Sequence, residues 1–398
     1  MIGVYMLAMI FSGLQFPLVA AENPDIAAAV NGNNAFACAL YTELAKDEGN
    51  LFFSPYSISV ALSMTYAGAR GETARQMVEA LHISLAPEKL HPALADLQKI
   101  FNAGGKRYQL SVANALWGQA GYKFQPEFIK TTNQYYGAGF KSVEFADDRK
   151  REQTRRKINR WVEGKTRRKI KDLIKPDILN ALTRLVLTNA IYFKGEWESQ
   201  FKPANTQNMP FYVRAGESKQ VPMMFQKGKF KYMADEQAQI LELPYTGGDL
   251  VMDVLLPKME TGLETLEAAL TPEKMQNRLS GLSPADVKVY LPRFKLEQSF
   301  ALNEQLKNLG MIDAFDMMKA DFSGMASGSR LYITNAIHKA FVDVNEAGTE
   351  AAAATAIIMG AKALKQEIIF RADRPFLFMI RYCRTGSILF MGRLAEPR

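Results

Sequence analysis

Two cysteines and three histidines are all that this 398-residue chain contains, and each scarcity excludes something. Cys38 and Cys383 stand 345 positions apart. They make neither a disulfide framework nor a metal-ligand spacing. Two small buried hydrophobes are expected, with a single bridge as the alternative. His82, His91 and His338 are scattered, and no G-x-S-x-G elbow, H-E-x-x-H, Walker loop or G-x-G-x-x-G accompanies them. The reading is therefore not an enzyme, with no cofactor and no metal. There is no N-x-[ST] sequon, so no N-glycosylation is expected. After residue 21 no apolar run reaches the roughly 18 residues that a membrane span requires, and no membrane partner is expected.

What is present describes a folded body. The chain is 48% hydrophobic and 23% charged and has 24 Phe, a composition that supports a large core. The length alone suggests two or three domains, but no Pro, Gly or Ser-rich linker and no repeat divides it. Residues 22–398 are read as one mixed α+β domain. Ahead of it, Met1 to Ala21 is uncharged and mostly apolar and closes on Ala20 and Ala21. This reads as a secretory leader, although no Lys or Arg precedes the apolar run, and predicts a secreted or extracellular protein.

Residues 25–105 are helix-rich by pattern, with Ser54-Pro55 as a start signal. From 108 onward strand patterns appear, ending in a hairpin around Arg384-Thr385-Gly386. Helical segments at 126–136, 151–164, 263–279 and 300–308 interrupt them. In LYITNAIHKAFVDV, alternation places His338 with Thr334, Ala336 and Ala340 on one face, with Ile333, Asn335 and Ile337 on the other. A histidine among small neighbours reads as a hydrogen-bonded core residue.

One stretch fits two structures. Residues 346–356, EAGTEAAAATA, look locally like a Thr-capped alanine helix. Such a helix would have only methyl groups to bury. As a strand, the row Thr349, Ala351, Ala353, Thr355 and Ile357 carries no charge and no proline, so it could enter an existing sheet at little desolvation cost. Gly348 would supply the hinge.

At this point the sequence resembles the serpin family, on NLFFSPYSISVALSMTYAGARGET at 50–73, LTNAIYFKGEWESQF at 187–201, HKAFVDVNEAGTEAAAATA at 338–356 and RPFLFMIRYCRTGSILFMGRLAEP at 374–397. The resemblance implies an α+β fold of three β-sheets surrounded by eight or nine helices, with an exposed reactive-centre loop. It also implies a metastable suicide inhibitor: the protease attacks the loop, and the cut loop inserts into the central sheet before the acyl-enzyme hydrolyses. Some 15 inserted residues at about 3.3 Å each would carry the protease roughly 50 Å.

The same resemblance assigns residues. Glu346, Ala347, Gly348, Thr349, Glu350, Ala351, Ala352, Ala353 and Ala354 match the hinge of inhibitory members. The family's cleaved bond follows the residue 16 positions after Glu346, which gives Lys362-Ala363, with Leu364 and Lys365 as rival registers. A lysine there calls for a protease pocket with a buried carboxylate, so a trypsin-like serine protease is the expected partner of a monomeric inhibitor. Leu364 would point to a chymotrypsin-like one. Ser54, Ser57, Asn189 and His338 match the shutter beneath the central sheet, and Trp197 and Arg293 the breach, with Arg293 expected to pair with Glu346. A non-inhibitory carrier or chaperone, and cross-class inhibition of a papain-like cysteine protease, are the alternative functions.

Charge is distributed unevenly. Residues 149–175 hold 13 Lys or Arg and 3 acids, a net of +10 against +8 for the whole chain, so the remainder sums to −2. Ile158, Trp161 and Val162 fall at helical spacing, which predicts an amphipathic helix. By resemblance it crosses the central sheet. Arg155, Arg156, Lys157, Arg160, Arg167, Arg168 and Lys169 form a candidate polyanion-binding face; a solvated surface is the alternative.

Overall fold

The computed structural model describes residues 23–103, 108–137, 139–214, 216–258, 262–328, 330–349 and 367–397. The leader expected at 1–21, and Glu350, Ala351 to Ala354, Lys362, Ala363, Leu364 and Lys365, lie outside the described residues.

The chain begins with α1 (Pro24–Leu44), where the Asn23 side chain accepts from the Asp25 and Ile26 amides. After β1 (Leu51–Phe53), Ser54 caps α2 (Pro55–Tyr66), with Pro55 at the first helical position. There follow α3 (Gly71–Ala80), α4 (Pro87–Asn102), β2 (Tyr108–Gln119), α5 (Pro126–Tyr136), β3 (Phe140–Val143), α6 (Asp148–Lys165) and β4 (Leu185–Glu196). The middle of the chain supplies β5 (Gln207–Arg214), β6 (Glu217–Ala234), β7 (Ala238–Pro244), β8 (Leu250–Pro257), α7 (Gly262–Ala268), α8 (Pro272–Ser280), β9 (Ser283–Pro292), β10 (Phe294–Ala301) and α9 (Asn303–Asn308). The last third is β11 (Ile333–Asn345), the two-residue β12 (Gly348–Thr349), β13 (Ile368–Arg371), β14 (Phe376–Tyr382) and β15 (Ser387–Leu394). Among the described residues this makes nine α-helices.

The strands form a six-stranded sheet in the order β10-β11-β12-β4-β2-β3 and a nine-stranded assembly. The 18-residue β6 splits the assembly into two layers. Its first part pairs with β5 and β9, and its end, Lys231–Ala234, pairs with β7 and leads through β8, β14, β15 and β1. The expected α+β arrangement of three sheets and surrounding helices is thus the observed one.

Two expectations from patterning need correction. The helix at 263–279 is two helices, because Thr271 and Pro272 start a new one, with the Thr271 hydroxyl accepting from the Lys274 amide. The face assignment in β11 also fails at its start. Ile333 packs in the inner core with Ala336, Ala340 and Val342, whereas Ile337 and Phe341 pack on the outer side. The register against β4 shifts between Ile333 and Asn335, and a bulge of one residue reverses the parity. Cys38 and Cys383 are both free thiols, each pushed up to about 12 by burial.

Two core clusters flank the six-stranded sheet. The larger one lies behind it, under α1 to α4. The smaller lies on its outer face, where Ile158 and Val162 of α6 and Ile170, Leu173 and Ile174 of the following segment cover Ala190 and Tyr192 of β4 and Ile337 and Phe341 of β11. The amphipathic reading of 154–164 holds: Ile158 and Val162 are buried, and Trp161 meets buried Trp117 edge-on at 5.5 Å.

Candidate functional site

The middle of the six-stranded sheet has an opening at one end. From Ile333↔Leu185 to Phe341↔Tyr192, β11 and β4 are direct parallel neighbours. Above that row they part, and Gly348 and Thr349 lie between them, paired with Asn345 and Val344 on one side and with Glu196 and Gly195 on the other. The sheet therefore holds the first two residues of a strand that its remaining length excludes.

Local chemistry fixes this stub. Gly348 has φ +149°, and a Cβ there would collide with Gly195 O and Glu196 Cα, so only glycine fits. Thr349 is fully buried, its hydroxyl 2.8 Å from the Tyr245 hydroxyl. Tyr245 stacks on Trp197 at 4.6 Å, and Trp197 Nε1 donates to Asn345 O at 3.0 Å. The Trp197 amide donates to Ala347 O and the Phe201 amide to Glu346 O, both at 2.9 Å.

Glu346, Arg293 and Thr206 meet beside the stub. Arg293 Nε donates to Glu346 Oε1 at 2.6 Å, and the Thr206 hydroxyl donates to the same oxygen. Burial pushes the Glu346 carboxyl up, but these donors outweigh it and hold the carboxyl below its usual range. The breach and hinge residues Trp197, Arg293 and Glu346 to Thr349 are brought together. Tyr245 and Thr206 escaped sequence reasoning, since nothing local marks a tyrosine or threonine that packs against a segment over a hundred residues away.

Lower in the same gap, His338 and Asn189 face each other across the β11–β4 pairing. His338 Nδ1–H donates to Asn189 Oδ1, and the Ser54 amide donates to His338 Nε2 at 3.1 Å, which defines a neutral ring. Asn189 Nδ2 donates to Ser57 Oγ at 2.7 Å and to Asn114 Oδ1 at 2.6 Å, while Ser54 Oγ donates to Leu389 O at 2.6 Å. Ser54, Ser57, Asn189 and His338 thus form one buried cluster that ties α2 to both separable strands. Asn114 on β2 belongs to it too. An asparagine between alanines in a strand was the available signal.

Burial pushes the His338 imidazole down to about 3. The folded value lies below the ordinary one, near 6.5, so the unfolded chain binds more protons between the two. This contribution to stability is complete above about pH 6.5 and is lost as pH falls toward 3. His91, which hydrogen-bonds the Tyr136 hydroxyl at 2.6 Å and is pushed down to about 4, acts in the same direction. Denaturant unfolding from pH 7.5 to 5 should show stability falling below pH 6.5. His338→Gln should reduce that slope by up to about 1.4 kcal/mol per pH unit. Equal slopes in the two proteins would show that His338 is not the titrating group.

The basic segment roofs the gap. Lys339 of β11 donates to Lys171 O at 2.9 Å, and Asn159 holds Ile174 by two hydrogen bonds of 2.9 Å. Arg156, Lys157, Arg160, Arg167 and Arg168 are exposed. Lys169 is exposed as well and lies 6.0 Å from the centre of the Tyr192 ring. Arg155 is turned inward, paired with Glu152 and donating to Ile174 O at 2.8 Å. Among the described residues no helix is long and apolar enough to cross a membrane, and no metal-binding cluster occurs.

A sheet with a strand stub between two separable strands defines the class, and comparison with known proteins agrees with it. The family model "Serpin (serine protease inhibitor)" matches residues 31–397. The chain belongs to the serpin family, the family of serine protease inhibitors. It is 43% identical over 377 residues to the leukocyte elastase inhibitor of Homo sapiens, covering 92% of this chain and 99% of that one. It is 43% identical over 380 residues to serpin B6 of Pongo abelii, covering 94% and 100%. Uncleaved ovalbumin superposes with a TM-score of 0.84 at 33% identity, covering 93% of this chain and all of that one.

These relatives correct the expectation of a secreted or extracellular protein. The leukocyte elastase inhibitors and serpin B6 are intracellular serpins, which points against export. An apolar run at residues 1–21 closing on Ala20 and Ala21 was the basis for a leader. Apolar character is necessary for export but not specific to it, and the basic residue that normally precedes such a run is absent.

Proposed function

We propose that this serpin is a monomeric suicide inhibitor of trypsin-like serine proteases, cleaved between Lys362 and Ala363 and trapping the acyl-enzyme by inserting the cut loop between β4 and β11. The observation that carries this reading is the register of the Gly348–Thr349 stub. Continued down the gap, it sets Ala351 beside Val342, Ala353 beside Ala340, and Thr355 between His338 and Asn189. The inner row is then small and uncharged, and the Thr355 hydroxyl meets the two polar groups whose mutual hydrogen bond the insertion breaks. Glu350 would fall on the outer row.

Incubation with trypsin tests it. An SDS-stable complex together with a clip after Lys362 is the expected result; a clip with no trapped complex would favour a non-inhibitory carrier or a plain substrate. A second reading rests on the relatives named as leukocyte elastase inhibitors: an elastase- or chymotrypsin-like target cutting after Leu364. A clip there, with trypsin untouched, would favour it. Papain is the control for cross-class inhibition of a cysteine protease.

The exposed face of α6 and the segment after it we read as a polyanion site, supported by the excess of Arg and Lys over acidic residues there and by their exposure. Affinity for a sulfated glycan should fall steeply with salt. Charge reversal at Arg156 and Arg160 should weaken it by about tenfold or more at low salt. Equal binding by wild type and variant would make the face a solvated surface.

A further inference from the structure

The register of the Gly348–Thr349 stub also fixes what the next residue of the strand would meet. Glu350 is the only charged residue between Glu346 and Lys362. One step down the gap its place lies across from Asp343 on β11 and from Lys194 on β4. Both belong to the outer row, because Asp343 shares its parity with Phe341, and Lys194 with Tyr192, and those two rings pack on the outer face. Pairing with the flanking strands sets Lys295 beside Asp343 and Gln109 beside Lys194. At this level an acid therefore stands on one side of the gap and a base on the other. Lys194 is half-buried, and among the described residues its ammonium has no hydrogen bond and no acidic partner.

We propose that Lys194 is a positioning residue for loop insertion: its ammonium receives the Glu350 carboxylate and offsets the repulsion from Asp343 at the first level beyond the stub. The proposal rests on insertion between β4 and β11 as read above. Directly opposite like charges in a sheet destabilise and opposite charges stabilise, each by up to about fivefold in an equilibrium constant. Without Lys194 the incoming carboxylate would meet only the like charge. The outer-row residues that follow, Ala352 and Ala354, carry no charge, so the electrostatic demand falls on this one level.

A double-mutant cycle on the full chain tests it, read by the moles of inhibitor consumed per trypsin trapped and by the melting of loop-clipped protein. Lys194→Glu should raise the consumption about fivefold or more and lower the melting temperature of the clipped form. Lys194→Arg should behave as wild type. In a Glu350→Gln background the same Lys194→Glu change should cost little in either measurement, because the charge it acts on is gone. The pairing is overturned if Lys194→Glu alters neither quantity, or if its defect is as large in the Glu350→Gln background as in wild type, which is what a merely structural lysine gives. The melting arm needs no trapped protease, so it reads the pairing whichever enzyme cuts the loop. Clipped wild type that melts no higher than intact protein would defeat insertion itself and the pairing with it. A raised melting temperature without coupling between positions 194 and 350 would defeat the pairing alone.

Discussion

Thr349→Arg is expected to convert the inhibitor into a substrate: trypsin should cut the loop at an undiminished rate while the SDS-stable complex disappears. Thr349 is fully buried and held by Tyr245, on the row that faces the inner core once the loop is in the sheet. An arginine there would enter without a carboxylate partner, and an unpaired buried charge costs several kcal/mol. Insertion must outrun hydrolysis of the acyl-enzyme, so a penalty of that size at its first step returns the protease free. Thr349→Ser, which keeps a hydroxyl for Tyr245, should still trap. A Thr349→Arg protein that forms complex as well as wild type would eliminate insertion along this register.

The second large effect concerns heat. Protein clipped in its loop should melt well above the intact form, because the strand that the gap excludes then gains partners on both sides. With about ten newly paired residues at roughly 1 kcal/mol each, the gain is of the order of 10 kcal/mol before entropy is counted. In the proposed mechanism the intact sheet stays shut because entry would have to break the His338–Asn189 bond and lift the Lys171–Ile174 roof from Lys339. Equal melting of the two forms would mean that no energy is stored, and the proposed mechanism would fall.

Much of this protein was legible before any coordinates. The helix start at Ser54, the buried stripe of α6 and the small-residue row after Gly348 are local matters of spacing and side-chain volume, and spacing is what a sequence records. The family resemblance pointed to Ser57, Asn189, His338, Trp197, Arg293 and Glu346, but not to Tyr245, Thr206 or Asn114. Locality also explains the errors. Alternation read through the start of β11 missed a bulge, because a bulge depends on the partner strand. Apolar character at 1–21 suggested export, because hydrophobicity alone does not state a destination.

By itself the sequence determined that residues 349–357 could live inside a sheet: they are small, alternate cleanly and carry no charge on one row. Only the tertiary structure decided which sheet and which gap. It put Gly348 where nothing but glycine fits, set Tyr245 and Thr206 against residues more than a hundred positions away, and placed His338 opposite Asn189 in the path of entry. Those choices belong to pairing between distant strands, whose register is fixed by packing on both faces at once and so is written in no single stretch of the chain.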